Sequence, residues 1–242
     1  MNIIKLDAIE STNDYLKRSK INDIEIVYTY NQTKGKGQRG NQWFSESGKN
    51  IAFSIKLFPV NFKVKDQFRI NVIFSLLIFN TLKSLKIPDI KIKWPNDIMS
   101  GNKKICGILN EIKVKGNFIE EIVVGFGLNV NQENFDNLPN ASSLKKITSI
   151  NYDLDGIINL FIQNIKRYNY LKKLVSSEPD YSKLLATYNN NLFGLNLILE
   201  FFNKTSKFKG QILSVSSKGT INIKKNSGSI GNYNIHEIKL IY

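Results

Sequence analysis

One stretch constrains this chain more than any other: Thr33-Lys34-Gly35-Lys36-Gly37-Gln38-Arg39-Gly40-Asn41-Gln42-Trp43. An apolar, β-branched run from Ile24 to Tyr30 leads into it and reads as a strand. Ile51-Ala52-Phe53-Ser54-Ile55 follows it in strand alternation. The glycines let a backbone approach a ligand closely and turn N–H groups toward it. Lys34, Lys36 and Arg39 add positive charge, so the loop suits an anion, above all a phosphate chain. The bland alternative, a surface glycine–lysine hairpin tip, stays open from the loop alone. The spacing Gly35-x-Gly37-x-x-Gly40 matches the dinucleotide fingerprint, but that fingerprint needs a helix next, and here a strand follows. A Walker-type phosphate loop is excluded because Asn41, not Lys, follows Gly40.

Around this loop the periodicity switches between two and 3.6. Ile3–Leu6 reads as a strand, and Ser11 with Asp14 resembles a capping box opening a short helix to about Arg18. A long helix is expected from Gln67 to Lys86, with Ile70, Ile73, Phe74, Leu77, Ile78, Leu82 and Leu85 as core and Pro88 as its stop. Strands follow at Ile90–Trp94, Lys104–Glu111 and Glu121–Val130, with turns at Ser100–Lys103 and Gly116-Asn117. Residues 134–150 read as a polar loop, and helices follow from Asp153 to about Leu174 and from Pro179 to Asn191. The tail alternates over 197–202, 208–215, 220–224 and 235–241, as in a small β-barrel. The fold class is therefore α/β (α+β), a central mixed or antiparallel sheet flanked by helices, with a small β unit at the end.

Composition narrows the partners. Thirty-four Lys and Arg against 20 Asp and Glu leave +14. That favours a polyanion, and a basic nucleic-acid-binding module is the alternative of a different class. Only Arg18, Arg39, Arg69 and Arg167 are arginine, the lysines are scattered, and no recognition helix, zinc finger or aromatic platform is visible. No apolar run approaches the roughly 18 residues that span a membrane. With one cysteine and no export signal, a cytoplasmic location without membrane contact is expected.

Four more motifs carry chemistry. Ser11-Thr12-Asn13 puts small polar side chains at a helix start. Lys93-Trp94-Pro95-Asn96-Asp97 ends a strand on polar residues, as an ordinary turn or as a cleft edge. Lys104-Ile105-Cys106-Gly107-Ile108-Leu109 places a lysine at the mouth of an apolar strand, where it could neutralise a carboxylate or phosphate. Gly107 within that strand suggests close approach by a ligand or another backbone. Gly125-x-Gly127-x-Asn129 repeats the pattern on the next strand. Cys106 reads as a buried inert thiol, and His236 as a surface strand residue.

Together, in this order, these motifs resemble the biotin protein ligase family over nearly the whole chain, most specifically in Lys-Trp-Pro-Asn-Asp and the Lys-x-x-Gly-Ile-Leu strand after it. The resemblance implies the class II tRNA-synthetase/biotin–lipoyl ligase fold over residues 1–190 and an SH3-like β-barrel over 191–242. It implies that biotin and MgATP give biotinyl-5′-AMP, and that biotin then passes to a lysine of a biotin carboxyl carrier protein. Biotin would be held by Ser11, Thr12, Asn13, Gln32, Lys36, Gly37, Gln38, Lys104 and Gly107. ATP and the adenylate would be held by Arg39, Gly40, Trp43, Asn96, Asp97 and Asn129. Lys104 and Arg39 would be the catalytic cations, with Mg2+ carried by the ATP phosphates rather than built in by side chains alone. A lipoate or octanoate ligase on the same fold is the near alternative. Lys36 and Gln38 stand where the family loop commonly has arginines, which loses the bidentate fork at one position and the charge at the other. The chain begins directly with the first catalytic strand, so a monofunctional ligase that binds no DNA is expected. Such ligases often pair through a sheet edge, so a homodimer is a further implication. Residues 34–41 are expected to be mobile without ligand.

Overall fold

The computed structural model describes residues 1–136, 138–167 and 178–241. Seven strands form the main sheet: β1 (Asn2–Leu6), β2 (Glu25–Thr29), β5 (Asn50–Leu57), β6 (Ile90–Lys93), β7 (Asp97–Ser100), β8 (Lys103–Lys115) and β9 (Phe118–Asn129). Their order is β1-β2-β5-β9-β8-β7-β6. β1 runs parallel to β2, and every other neighbouring pair is antiparallel. The expected mixed sheet is what forms. β5 lies near its middle and is buried at all its positions, as a strand covered on both faces must be.

The two faces do different work. On one, the Phe53 and Phe126 rings stack with centroids 4.8 Å apart, and Phe161 lies 4.9 Å from Phe126. Phe161 comes from α4 (Leu154–Arg167). Helix α2 (Phe68–Ser84) touches β6, β7 and β8, and also α4 and α5 (Glu178–Asn190). It is apolar nearly all round because it is surrounded nearly all round. On the other face, α1 (Thr12–Arg18) packs Leu16 on Val27 and Val123. These alternate with Ile26, Ile122 and Val124, which belong to the main core. A period of two therefore puts α1 on the opposite side of the sheet.

A buried lysine fastens α1 to that side. Lys56 Nζ donates to the carbonyls of Leu16 and Ser19 at 3.1 and 2.9 Å and pairs with Glu121 Oε2 at 3.1 Å. The cation faces the C-terminal end of the helix, where carbonyls lack partners. Lys56→Met keeps the length but removes the ammonium donor from both carbonyls and the ion pair from Glu121, while Leu16 O keeps only the Ser19 N–H. Its expected cost is about 2 kcal/mol, read as a melting temperature lower by about 4–8 °C.

After α5, the backbone extends the sheet edge. Ile92 N–H donates to Asn191 O, and Phe193 N–H to Ile92 O, each at 2.8 Å. A five-stranded antiparallel sheet follows, from β10 (Ile198–Asn203), β11 (Ser206–Val215), β12 (Ile221–Lys225), β13 (Ile230–Tyr233) and β14 (Ile238–Ile241), in the order β13-β12-β11-β10-β14. It is the small terminal β unit expected from the alternation. The indole of Trp94 donates to Gly219 O at 3.0 Å and ties the main sheet to it.

The elements differ from expectation in several places. The supposed loop 134–150 contains α3 (Leu144–Thr148), with Ser143 as its N-cap: its Oγ accepts from Lys146 N–H. The expected strand 235–241 begins only at Ile238, because Asn234 and Glu237 close a turn in which Glu237 N–H donates to Asn234 O at 3.0 Å. His236 is exposed in that turn, not on a strand. From the sequence Gly210, Gly219, Gly228 and Gly231 read as turn markers of the tail, yet Gly210 lies inside β11 and Gly231 inside β13. The last part of the helix expected from Asp153, residues 168–174, lies outside the described residues.

Candidate active site

The site forms where the α1 face of the sheet loses its side chains. Gly125 and Gly127, two apart on β9, share a face. Gly107 of β8 and Ala52 of β5 both sit opposite Gly127. Ser54 and Leu109 sit opposite Gly125. A shallow trough therefore crosses three strands. Trp43 lies in it. A Cβ on Gly127 would collide with the Trp43 indole, and one on Gly107 would come within 2.9 Å of its ring. A Cβ on Gly125 would collide with the Asn13 side chain. Cys106, one residue from Gly107, faces the main core, and burial pushes its thiol well above the ordinary range. It is inert there, as expected.

The end of the trough beside α1 is a closed polar cluster. Ser11, Thr12 and Asn13 are all buried. Ser11 caps the helix, its Oγ accepting from Asp14 N–H at 3.3 Å. Gln32 Oε1 accepts from Thr12 N–H at 2.9 Å and from its hydroxyl at 3.1 Å. Ser54 Oγ lies 2.7 Å from Thr12 Oγ1 and 2.6 Å from Asn13 Oδ1. One hydroxyl proton serves one of those acceptors at a time, which leaves the other for a ligand. Asn13 Nδ2 donates to Glu111 Oε2 at 2.8 Å.

The other end is cationic. Lys104 Nζ lies 2.7 Å from Asp97 Oδ1 and 5.2 Å from the Trp43 ring centroid. Lys93 Nζ reaches Asp97 Oδ2 at 3.1 Å. One buried carboxylate thus holds two ammonium groups. Asn96 fixes the hairpin against β8: its Nδ2 donates to Ile108 O, and Ile108 N–H donates to Asn96 O, each at 2.8 Å. The glycine loop forms a small hairpin, β3 (Gly35–Lys36) with β4 (Gln42–Trp43). At its tip Arg39 has φ 60°, and its guanidinium donates to Ile235 O of the terminal β unit. Lys34 turns outward to Glu10, and Lys36 to Asp14.

Two neighbouring cavities result, sharing part of their lining. The first, about 50 Å³, touches Ser11, Thr12, Asn13, Gln32, Lys36, Gly37, Gln38, Trp43, Asn96, Lys104 and Gly107. It is small because Trp43 occupies the trough. Sites for small molecules run to roughly 300–1,000 Å³, so a ligand filling it displaces the indole. The second, about 840 Å³, opens between Arg39, Trp43, Asn96, Asp97 and Lys104 on one side and Phe201, Phe202, Ile238 and Lys239 on the other. Gly37, Gln38, Trp43, Asn96 and Lys104 border both. Gly40, at the loop tip, and Asn129, whose Nδ2 donates to Ser142 O at 3.0 Å, border neither. Reading the sequence missed Ser54 and Glu111. Ala52 and Ser54, the small residues alternating with Ile51, Phe53 and Ile55, already marked a bare face. Glu111 gave no local signal, since it meets Asn13 across 98 positions. Among the described residues no group of three His, Cys, Asp or Glu could hold a metal ion, and no helix is long and apolar enough to cross a membrane.

Fold and cleft together define a class: an α/β protein whose bared sheet face, roofed by a glycine loop, carries buried polar side chains at one end and the Lys93–Asp97–Lys104 cluster at the other. The Biotin/lipoate A/B protein ligase family model matches residues 6–129, and the chain belongs to that family. It is 24% identical over 234 residues to the bifunctional ligase/repressor BirA of Bacillus spizizenii, covering 93% of this chain and 70% of that protein. It is 30% identical over 150 residues to the biotin–[acetyl-CoA-carboxylase] ligase of Mycobacterium tuberculosis, covering 58% of this chain and 54% of that one. The biotin protein ligase of Aquifex aeolicus, solved in complex with biotin and ATP, superposes with a TM-score of 0.82 at 24% identity, over 99% of this chain and 98% of that one. That likeness is one of fold.

Proposed function

We propose that this protein activates biotin with MgATP and transfers it to a lysine of a biotin carboxyl carrier domain. The observation that carries this reading is the shared wall: Lys104 stands between a polar pocket and a wide cationic cleft. The ureido ring of biotin would occupy the pocket of Thr12, Asn13, Gln32 and Ser54, whose donors and acceptors match its carbonyl and N–H groups. Its carboxylate would lie at Lys104, and the nucleotide in the cleft bordered by Arg39, Trp43, Asn96 and Asp97.

In the first step a carboxylate oxygen attacks the α-phosphorus. The new O–P bond replaces the bond to pyrophosphate, which leaves. Two anions meet there, so fixed cations lower the barrier more than a general base would. When bound, magnesium would sit on the ATP phosphates and offset part of their charge. In the second step the carrier's neutral lysine amine attacks the carbonyl, a C–N bond forms, AMP leaves, and a proton is released. The glycine loop keeps water from the mixed anhydride in the interval.

The polar pocket favours biotin over lipoate. A dithiolane ring offers no N–H or carbonyl to pair with the buried Thr12 and Asn13 or the half-buried Gln32, so it gains nothing from this cluster. The test is purified protein with labelled biotin, MgATP and a carrier domain. Covalent label on the carrier is expected, and lipoate should not support ATP–pyrophosphate exchange. No label, or exchange driven by lipoate alone, overturns the reading. Nucleic-acid binding that falls steeply with salt, in a protein inactive in this assay, would favour the basic-module alternative.

A further inference from the structure

The glycine loop is tied to the polar pocket by a ladder of charges. Lys36 Nζ lies 2.6 Å from Asp14 Oδ2. Lys17 Nζ lies 2.9 Å from Asp14 Oδ1 and 2.7 Å from Glu111 Oε1. Glu111 Oε2 in turn accepts from Asn13 Nδ2. Asp14 is set in place by the first turn of α1, where its N–H meets the Ser11 cap. Past Lys36, the backbone bonds of the tip are internal: Gly37 N–H to Asn41 O, and Asn41 N–H to Gln38 O. Among the described residues, Lys36–Asp14 is the last side-chain tie to the main domain, through α1, before the tip, since Arg39 reaches the terminal β unit instead.

We propose that Asp14 is a positioning residue that latches the glycine loop over the polar pocket through Lys36, and that Lys17 and Glu111 tie this latch to Asn13. The proposal rests on the biotin reading only for what fills the pocket. Lysine at position 36 suits the task, because a compact point charge on a flexible stem can reach a carboxylate from the small hairpin. The pair is half open, with Lys36 50% and Asp14 18% exposed. Its strength should therefore be modest and screened by salt. Burial alone would raise the Asp14 carboxyl, but hydrogen bonds from Lys36 and Lys17 hold it below the ordinary range, so it is charged at neutral pH.

Trypsin tests this on the full chain, because it cuts after Arg39 at the loop tip. Cleavage of the ligand-free wild type should quicken with added NaCl. Asp14→Asn, which keeps the backbone cap, should be cut about threefold faster at low salt, with little further response to salt. Its KM for biotin should rise by a similar factor while kcat hardly moves. Lys36→Met should give the same faster cleavage after Arg39, and the double variant should add nothing, because both remove one interaction. A fold defect would instead lower the melting temperature and expose sites throughout the chain, and would count against a latch. Wild-type cleavage and salt response in Asp14→Asn, or additive effects of the two substitutions, overturn the proposal. If biotin neither protects the wild-type loop nor reaches a carrier, the biotin reading fails, while cleavage of the ligand-free variants still decides the latch.

Discussion

Lys104→Ala is expected to lower biotin-dependent ATP–pyrophosphate exchange by about two to three orders of magnitude, the usual cost of removing one group that stabilises developing charge. The reason lies in how the amine is held. Lys104 is the second residue of β8, and its Nζ sits between Asp97 Oδ1 and the Trp43 ring. A cation fixed there needs little rearrangement when a carboxylate and a phosphate approach. Its loss also leaves Asp97, only 8% exposed, with Lys93 as its remaining ion pair. The site then turns more negative just where two anions must meet. The fold should survive, since the side chain is 30% exposed and outside both apolar cores. Lys104→Arg should recover part of the rate, because charge returns while the compact head does not. Exchange at the wild-type rate in Lys104→Ala would reject the role assigned to it.

Gly125→Ala should raise the KM for biotin at least tenfold. Here the effect is steric and reaches the pocket indirectly. A methyl group at this position would overlap Asn13 Oδ1 and lie 3.1 Å from Ser54 Oγ. Asn13 must swing away, breaking its contact with Ser54 and its donation to Glu111. Losing such buried hydrogen bonds costs about 1–3 kcal/mol, or roughly ten- to a hundredfold in affinity. Alanine suits a strand better than glycine, so the backbone itself does not suffer. An unchanged KM, measured by carrier labelling at varied biotin, would mean that Asn13 does not face the ligand.

How much of this was legible depends on the range of the interactions. Helix α2 and strands β5, β8 and β9 follow from local periodicity and are readable in the chain. So is the hairpin at Gly101-Asn102, where Gly101 takes φ 53°. The short helix α3 escaped because it spans barely more than a turn and depends on one serine cap. Strand β13 escaped because glycines normally punctuate. The site divides the same way. Its motifs are contiguous in sequence and stood out. Its wiring is not. Lys104 faces Asp97 through a register that shifts between Ile98 and Met99, and Trp43 enters a trough whose walls come from three strands. No local pattern encodes a register shift or the resting place of a side chain from a distant loop.

The trough is defined by what is missing. Ala52, Gly107 and Gly127 meet across neighbouring strands and contribute almost no volume above the sheet. On the proposed biotin reading, the size of molecule admitted would be set by these three small residues, and the preference for a polar head by the start of α1. The two traits are separable. Substitution at Ala52 should act as a gauge on the length or bulk of the acyl chain and leave recognition of the head group untouched. A descendant of this chain could thus change the girth of its substrate through a few methyl groups without rebuilding a single hydrogen bond.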